Sequence, residues 1–208
     1  MPKVKPHRTS PSLDMTPMVD LAFLLVTFFM LTTKFAPEEA VVVDTPASTS
    51  EIRLPESHVI TISVDKDQRV FFGMDDAKPK IEMLKQVGAK YGVSFTEAQA
   101  KTFSNLSSFG MPVEKLPAFL NLSNEQRKVY KQEGIPADSV NNQFIEWVVA
   151  GQNASRKEFG KPNFIAIKGD NNADVPTVKK VIKLMQDKNI NRFNLITDLE
   201  TKPVAVGK

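Results

Sequence analysis

Residues 13–33 read LDMTPMVDLAFLLVTFFMLTT, and this stretch decides how the chain is organised. No Lys or Arg occurs between Arg8 and Lys34, and residues 21–31 are apolar at every position except Thr27. A helix over the whole stretch would span roughly 30 Å at about 1.5 Å per residue, which is the hydrocarbon thickness of a bilayer. The stretch therefore predicts a single transmembrane helix over residues 13–33.

The flanking charges predict the orientation of this helix. Lys3, Lys5 and Arg8 precede it, whereas the region after it holds Lys34 followed by several acidic residues. Because Lys and Arg accumulate on the cytoplasmic side of a span, residues 1–12 are predicted to be a cytoplasmic tail. The rest of the chain then lies outside the cytoplasm.

A cleaved signal peptide is the alternative, since a basic start and a short apolar run suit one. Asp14, Asp20 and Pro17 inside the segment argue against cleavage. Lys34 also lies where a small-residue cleavage site would be expected.

After the helix, the composition changes twice. Residues 34–58 are rich in Pro, Ser, Thr and Glu and predict an extended linker with one short strand at Val41, Val42 and Val43. From residue 59 to 202 the patterns predict a folded α+β domain. VITISV (59–64) and RVFFG (69–73) alternate around a turn as a hairpin, and NFIAIK (163–168) and RFNLIT (192–197) flank a helix.

Two groups of helical signals lie within the predicted folded domain, residues 59–202. In the strand–helix–strand part, Asp174 is a predicted N-cap, with Pro176 in the first turn, and four apolar residues share the buried face: Val178, Val181, Ile182 and Met185. Residues 75–162 predict a helical insertion between the hairpin and this part. Its signals are two capping boxes, Ser94 with Glu97 and Ser123 with Gln126, a helix end at Gly134, and a helix after Asp138 that carries Val140, Phe144, Trp147 and Val148 and ends near Gly151.

Composition excludes several function classes. The 208 residues contain no Cys, which excludes disulfides, thiolate metal sites and a cysteine nucleophile. The net charge of +3 is too small and too scattered for a nucleic-acid footprint. The two histidines, His7 and His58, lie in no catalytic motif, and no pattern indicates a cofactor or a metal, so an enzyme is not expected.

Asp20 is the candidate functional residue. In a helix from residue 13 it lies about 10 Å inside the span, where an ionised carboxylate costs on the order of 2.5–3.5 kcal/mol. Either the group is protonated or it faces a polar site on other helices, and a group that alternates between these states carries protons. Thr27 lies on the same face and could offer a hydroxyl, although a hydrogen bond within the helix is the expected fate of that group. If the helix instead began at Thr16 or Pro17, Asp20 would lie only about a turn deep and could be a cap.

The segment LDMTPMVDL (13–21), which continues into an apolar helix ending FMLT (29–32), resembles the signature of the ExbD/TolR family of biopolymer transport proteins. The short basic N-terminus, the linker strand VVVDTP (41–46) and the C-terminal strand–helix–strand with KGD (168–170) agree with it. The resemblance covers roughly the first 73 and the last 45 residues, and 75–162 has no counterpart in short members of the family.

The resemblance implies a subunit of an inner-membrane proton channel. This subunit would form a homodimer, work beside an ExbB-like polytopic membrane subunit and transmit the proton-motive force to outer-membrane transport through a TonB-like protein. Asp20 falls on the family's intramembrane carboxylate, Thr16 and Pro17 match the residues beside it, and Val41, Val42 and Val43 match the strand that engages the partner.

Three alternatives remain at the sequence level. A TolR-like role in the envelope and a motility stator role belong to the same energised class. In the third, the chain is a membrane-anchored periplasmic interaction module that conducts no ions.

Overall fold

The computed structural model describes residues 15–32, 40, 47–48, 55, 57–138, 141–170, 175–196 and 198–199. The chain divides into two units, residues 1–36 and 37–208. The first unit holds one helix, α1 (Thr16–Thr32). The second is a mixed α+β domain, which confirms the predicted fold class for this part of the chain. Its strands are β1 (Ala47–Ser48), β2 (Val59–Val64), β3 (Val70–Met74), β4 (Ser108–Phe109), β5 (Phe164–Gly169), β6 (Asn194–Ile196) and β7 (Asp198–Leu199). Its helices are α2 (Ala77–Tyr91), α3 (Glu97–Asn105), α4 (Leu116–Leu120), preceded by a 3-10 turn at Val113–Lys115, α5 (Asn124–Val129), α6 (Gln143–Phe159) and α7 (Val175–Gln186).

Five strands form one sheet in the order β4-β3-β2-β5-β6. The predicted hairpin is β2 and β3, which pair antiparallel with Ile62 opposite Phe72. β5 pairs parallel with both β2 and β6. The crossover helix α7 returns the chain to the start of the sheet between β5 and β6, which makes that pair parallel. A separate parallel pair joins β1 to β7. The hairpin and the strand–helix–strand therefore meet at the centre of the sheet, where β2 pairs with β5.

The core lies on one face of this sheet, under α2 and α6. The alternate residues Ile60, Ile62 and Val64 of β2 are fully buried, as period-two strand geometry requires. Trp147 of α6 is also fully buried, and its ring centroid lies 4.9 Å from that of Phe109 and 5.9 Å from that of Phe103. Phe144 is fully buried as well, so both aromatic residues of the helix predicted after Asp138 belong to the core.

The segment 75–162 is helical, as predicted, and its helices also form part of the core of the domain. Together with α7, α2 and α6 supply the helical layer of the core, and β4 adds an edge strand that the sequence did not indicate. Without α2 and α6, the part of the apolar face that they cover would be exposed to water. The segment is therefore part of the fold.

One of the two predicted capping boxes is wrong. α3 begins after Thr96, whose hydroxyl accepts a hydrogen bond from the Gln99 backbone N–H, while the Gln99 side chain accepts one from the Thr96 backbone N–H. Ser94 and Glu97 have the same spacing, but the chain is still extended before Thr96. The second box, Ser123 with Gln126, is confirmed at the start of α5.

The predicted ends of two helices are also corrected. α5 ends at Val129, and Gly134 lies in the following loop with φ +92°. α6 begins after Asn142, whose side chain accepts a hydrogen bond from the Ile145 backbone N–H, and it continues through Gly151 to a left-handed Gly160. A Cβ at Gly151 would lie 3.2 Å from Ile60 Cδ1, so this glycine allows α6 to approach the sheet closely. Gly151 is therefore a packing glycine in mid-helix and not the helix end that the sequence predicts.

α7 confirms the amphipathic pattern predicted for it. Val181 and Met185 are buried, Val178 and Ile182 pack against the same cluster, and Pro176 lies in the first turn. The predicted N-cap Asp174 lies outside the described residues. So do Val140 and the linker strand at Val41, Val42 and Val43.

Candidate functional site

α1 begins at Thr16 rather than at residue 13, with Pro17 in its first turn. Proline suits this position because its missing N–H would have no partner in the helix there. Asp20 then lies about 6 Å along the helix axis from Thr16, roughly one turn from the start. The structure thus has the shorter of the two helices considered from the sequence, and it places Asp20 near the N-terminal end.

Asp20 is the only ionisable residue in α1. At about 100° of rotation per residue, Thr16, Asp20 and Thr27 fall within an arc of about 40° on one side of the helix. Apart from Thr32 at its C-terminal end, the remainder of the helix circumference is apolar. The structure therefore brings three of the predicted site residues into one narrow polar stripe.

The Thr27 hydroxyl is used within the helix. It donates to the Phe23 carbonyl oxygen at 2.9 Å and lies 3.0 Å from that of Leu24. This is the intrahelical hydrogen bond that the sequence led us to expect. The Thr27 oxygen still has lone pairs that can accept a hydrogen bond, so toward another group on the stripe it is an acceptor.

The carboxylate of Asp20 has no hydrogen-bond donor or cation in contact with it among residues 15–32, the described part of this unit. No residue of α1 is buried, and its large apolar side chains are more than half exposed, for example Phe23 at 68% and Leu31 at 87%. A helix that is apolar nearly all round is stable only when other apolar material surrounds it. Within the described ranges, no helix has both the length and the apolar character needed to cross a bilayer.

A second group of ionisable residues lies in the folded domain, and the sequence gave no signal for it. His58 Nδ1 lies 3.0 Å from Asp76 Oδ2, and the His58 ring packs against Phe159 with centroids 4.2 Å apart. One helical turn on from Asp76, Lys80 is 4% exposed, and its ammonium donates to the Leu106 and Ser104 carbonyl oxygens at 2.5 and 3.3 Å.

The charges of this group influence one another. Burial lowers the pKa of Lys80 to about 8, and the nearby Asp75 and Asp76 carboxylates offset part of that effect. Burial also raises the pKa of Asp75 above its ordinary value, while the Lys80 ammonium opposes the rise. Because the Lys80 ammonium is buried and its hydrogen bonds join α2 to the end of α3, we assign it a structural role.

No metal centre is found in the described part of the chain, where no three His, Asp or Glu side chains converge. The geometry therefore leaves the polar stripe of α1 as the candidate site, with Asp20 as its only charge.

Comparison with known proteins identifies the family. The family model described as biopolymer transport protein ExbD/TolR matches residues 6–200. The chain belongs to the ExbD/TolR family. The matched range includes the Asp20 stripe of α1 and extends through the helical segment 75–162, which the resemblance seen in the sequence did not cover. Membership of the ExbD/TolR family supports a role related to biopolymer transport. No curated protein and no solved structure matches the chain.

Proposed function

We propose that this chain is an ExbD-like subunit of an inner-membrane proton channel and that Asp20 carries the proton. One observation carries the proposal: in a chain of this family, Asp20 is the single ionisable residue of an apolar helix whose side chains are not covered by the rest of the described first unit. Such a helix is stable in an apolar environment. An ionised carboxylate is costly there, so Asp20 is expected either to pair with a polar group of another helix or to have a function.

The membrane placement of this helix is part of the proposal. We infer that residues 13–33 cross the inner membrane, with residues 1–12 in the cytoplasm and residues 34–202 in the periplasm. The exposed apolar surface that makes up most of the circumference of α1 supports a bilayer location, and the cluster of Lys3, Lys5 and Arg8 before it supports this orientation.

The stripe geometry requires partner helices. An ionised carboxylate within a bilayer costs on the order of 2.5–3.5 kcal/mol, and protonation removes that cost. One helix cannot enclose a path for protons, so the walls of the path come from a second copy of this chain and from an ExbB-like polytopic subunit. The polar stripe faces these helices, and the apolar remainder faces their apolar surfaces.

The proton cycle follows from this arrangement. Asp20 takes up a proton from the periplasmic side and, once neutral, passes the apolar walls of the surrounding helices. It then reaches a polar site open to the cytoplasm and releases the proton. A membrane potential contributes about 2.3 kcal/mol per charge per 100 mV, which biases the direction of the cycle. Thr27, whose hydroxyl proton is already donated to Phe23, can only accept hydrogen bonds along this path.

The folded domain then transmits the movement. The repeated protonation of Asp20 shifts α1 relative to its partners, and the segment 34–58, whose strand β1 pairs with β7 of the folded domain, connects this motion to the domain. In this proposal Val41, Val42 and Val43 contact a TonB-like protein, which passes the work to transporters in the outer membrane.

Substitution of Asp20 tests the proposal. Asp20→Asn keeps the size of the side chain and removes its titration, and we expect it to abolish import that depends on the proton-motive force in cells lacking the wild-type copy. Asp20→Glu keeps a carboxyl group and should retain part of the activity. Asp14→Asn, which removes the carboxylate that precedes the apolar run of residues 21–31 by several positions, is the matched control and should import normally.

The result is interpretable only if each variant reaches the membrane at the wild-type level, which immunoblotting of membrane fractions establishes. Normal import by Asp20→Asn would refute proton carriage and favour a membrane-anchored interaction module. Co-purification tests the partners separately: wild-type chain and Asp20→Asn should both bring down a polytopic membrane protein, because the substitution changes a proton site and leaves the apolar surface intact.

A further inference from the structure

The topology of the sheet places two loops side by side. β5 and β6 are parallel neighbours, so the loop from α6 into β5 and the loop from α7 into β6 both lie at the N-terminal ends of these strands. Between these loops and the last turns of α6 lies a groove of about 750 Å³, a volume within the range of small-ligand sites.

Four cationic side chains surround this groove. They come from three segments that are apart in sequence: Arg156 on α6, Lys161 in the first loop, and Lys188 and Arg192 in the second. Among the described residues, no carboxylate lines the groove, and none of the four cations is paired with an acidic side chain. Lysines elsewhere in the domain do have such partners, as Lys157 has in Glu82 at 2.9 Å.

Two buried amides line the same groove. Gln152 and Asn163 are 7% and 6% exposed, and Gln152 Nε2 donates to the Asn163 carbonyl oxygen at 3.0 Å. Within the described chain, Gln152 Oε1 and both polar atoms of the Asn163 side chain have no hydrogen-bond partner. Buried polar groups are nearly always paired, so unpaired ones in a groove point to a partner that the chain itself does not supply.

The groove also has an apolar side. Phe164, the first residue of β5, is 54% exposed, and Val149, Pro162 and Ile190 line the groove with it. An exposed aromatic ring beside a row of cations offers a contact surface for the uncharged body of a ligand.

We propose that this groove binds a phosphorylated ligand, with its phosphate groups at the four cations and its uncharged body against Phe164. A phosphate carries up to two charges and three strong acceptor oxygens, so one group can accept from several Arg and Lys donors at once. A diphosphate thereby matches the charge of this groove better than a single carboxylate does. The Asn163 amide adds a neutral donor and an acceptor. Both a soluble phosphate ester and the headgroup of an anionic phospholipid have this chemistry. The proposal is independent of proton carriage by Asp20.

Calorimetric titration with inorganic diphosphate tests the site. The full chain is incorporated into nanodiscs of phosphatidylcholine, which has no net charge, and titrated at physiological ionic strength. We expect saturable binding by the wild type. Arg156→Gln with Arg192→Gln should weaken it at least tenfold, because each charge-assisted contact is worth about a factor of ten. All four cations are exposed, so these variants should keep the wild-type fold.

Lys179→Gln is the matched control. Lys179 lies on the exposed side of α7, outside the groove, so its loss removes one positive charge and should change the affinity less than twofold. An equal loss with Lys179→Gln would show that net charge alone attracts the probe, and the absence of saturable binding by the wild type would likewise overturn the proposal.

Asn163→Leu separates ligand binding from a structural role. If the unpaired amide serves a ligand, this variant should bind diphosphate more weakly while its melting temperature is unchanged or higher. A lower melting temperature with unchanged affinity would contradict the role assigned to Asn163. Nanodiscs containing phosphatidylglycerol then distinguish the two sources, because a lipid-headgroup site would show weaker apparent diphosphate binding there, whereas a site for soluble ligands would not.

Discussion

Lys80 should make the stability of the folded domain depend on pH in a way that a single substitution removes. Its ammonium is buried between α2 and the end of α3, and burial lowers its pKa from 10.5 to about 8. Between these two values the unfolded chain binds the Lys80 proton and the folded chain does not. The free energy of unfolding therefore rises with pH across this window, and the penalty for the charged ammonium is fully present below pH 8.

The size of the effect follows from the two pKa values. At about 1.4 kcal/mol per pH unit, the complete change is about 3 kcal/mol, and about 2 to 3 kcal/mol of it falls between pH 7 and pH 10. Lys80→Met removes the titrating group and keeps an unbranched side chain of similar length. The difference in unfolding free energy between wild type and Lys80→Met should change by that amount over the range, in favour of the wild type at high pH.

Urea denaturation of the full chain at several pH values provides the measurement. Trp147 is the only tryptophan and is fully buried in the same core, so its fluorescence reports the folded domain alone. Lys179→Met, which replaces an exposed lysine, should follow the wild-type curve at every pH. Parallel curves for wild type and Lys80→Met from pH 7 to pH 10 would refute the reasoning, because Lys80 would then have the same pKa in both states.

Two further predictions concern packing and capping. Gly110→Ala would place a Cβ less than 3.0 Å from three atoms of the buried Phe71 ring, so thermal or urea unfolding should show a loss of about 1–3 kcal/mol; a loss below 0.5 kcal/mol would mean that the ring can move aside. Thr96→Ala removes the N-cap of α3 and should cost about 1 kcal/mol by the same assay, whereas Ser94→Ala, at the start of the rival box, should cost little; the opposite order would support the capping box first predicted from the sequence.

Local patterns predicted much of this fold because they depend on few neighbours. The alternation in VITISV needed only one buried face to become β2, and the spacing of Val181 and Met185 needed only one apolar surface to become the inner side of α7. The errors came where two local signals were equivalent. Ser94 and Thr96 both stand three residues before a Glu or Gln, and only the packing of α3 selects the second. Gly151 is a residue type typical of a helix end, but α6 continues through it. A Cβ at this position would lie 3.2 Å from both the Ile60 and the Met83 side chains, so the glycine is there for packing.

The candidate site divides in the same way. Asp20 could be found from the sequence because a lone carboxylate in an apolar run is unusual whatever surrounds it, and helical geometry alone places Thr16 and Thr27 beside it. The groove could not be found, since Arg156, Lys161 and Arg192 are ordinary surface residues until parallel pairing of β5 and β6 brings their segments together. The sequence by itself thus determined the features that depend on the order of residues along one element: the apolar helix, its carboxylate and the periodicity of the strands. The tertiary structure decided everything that depends on distances between elements, including the burial of Lys80 and the convergence of four cations, because those distances are set by how the whole chain packs.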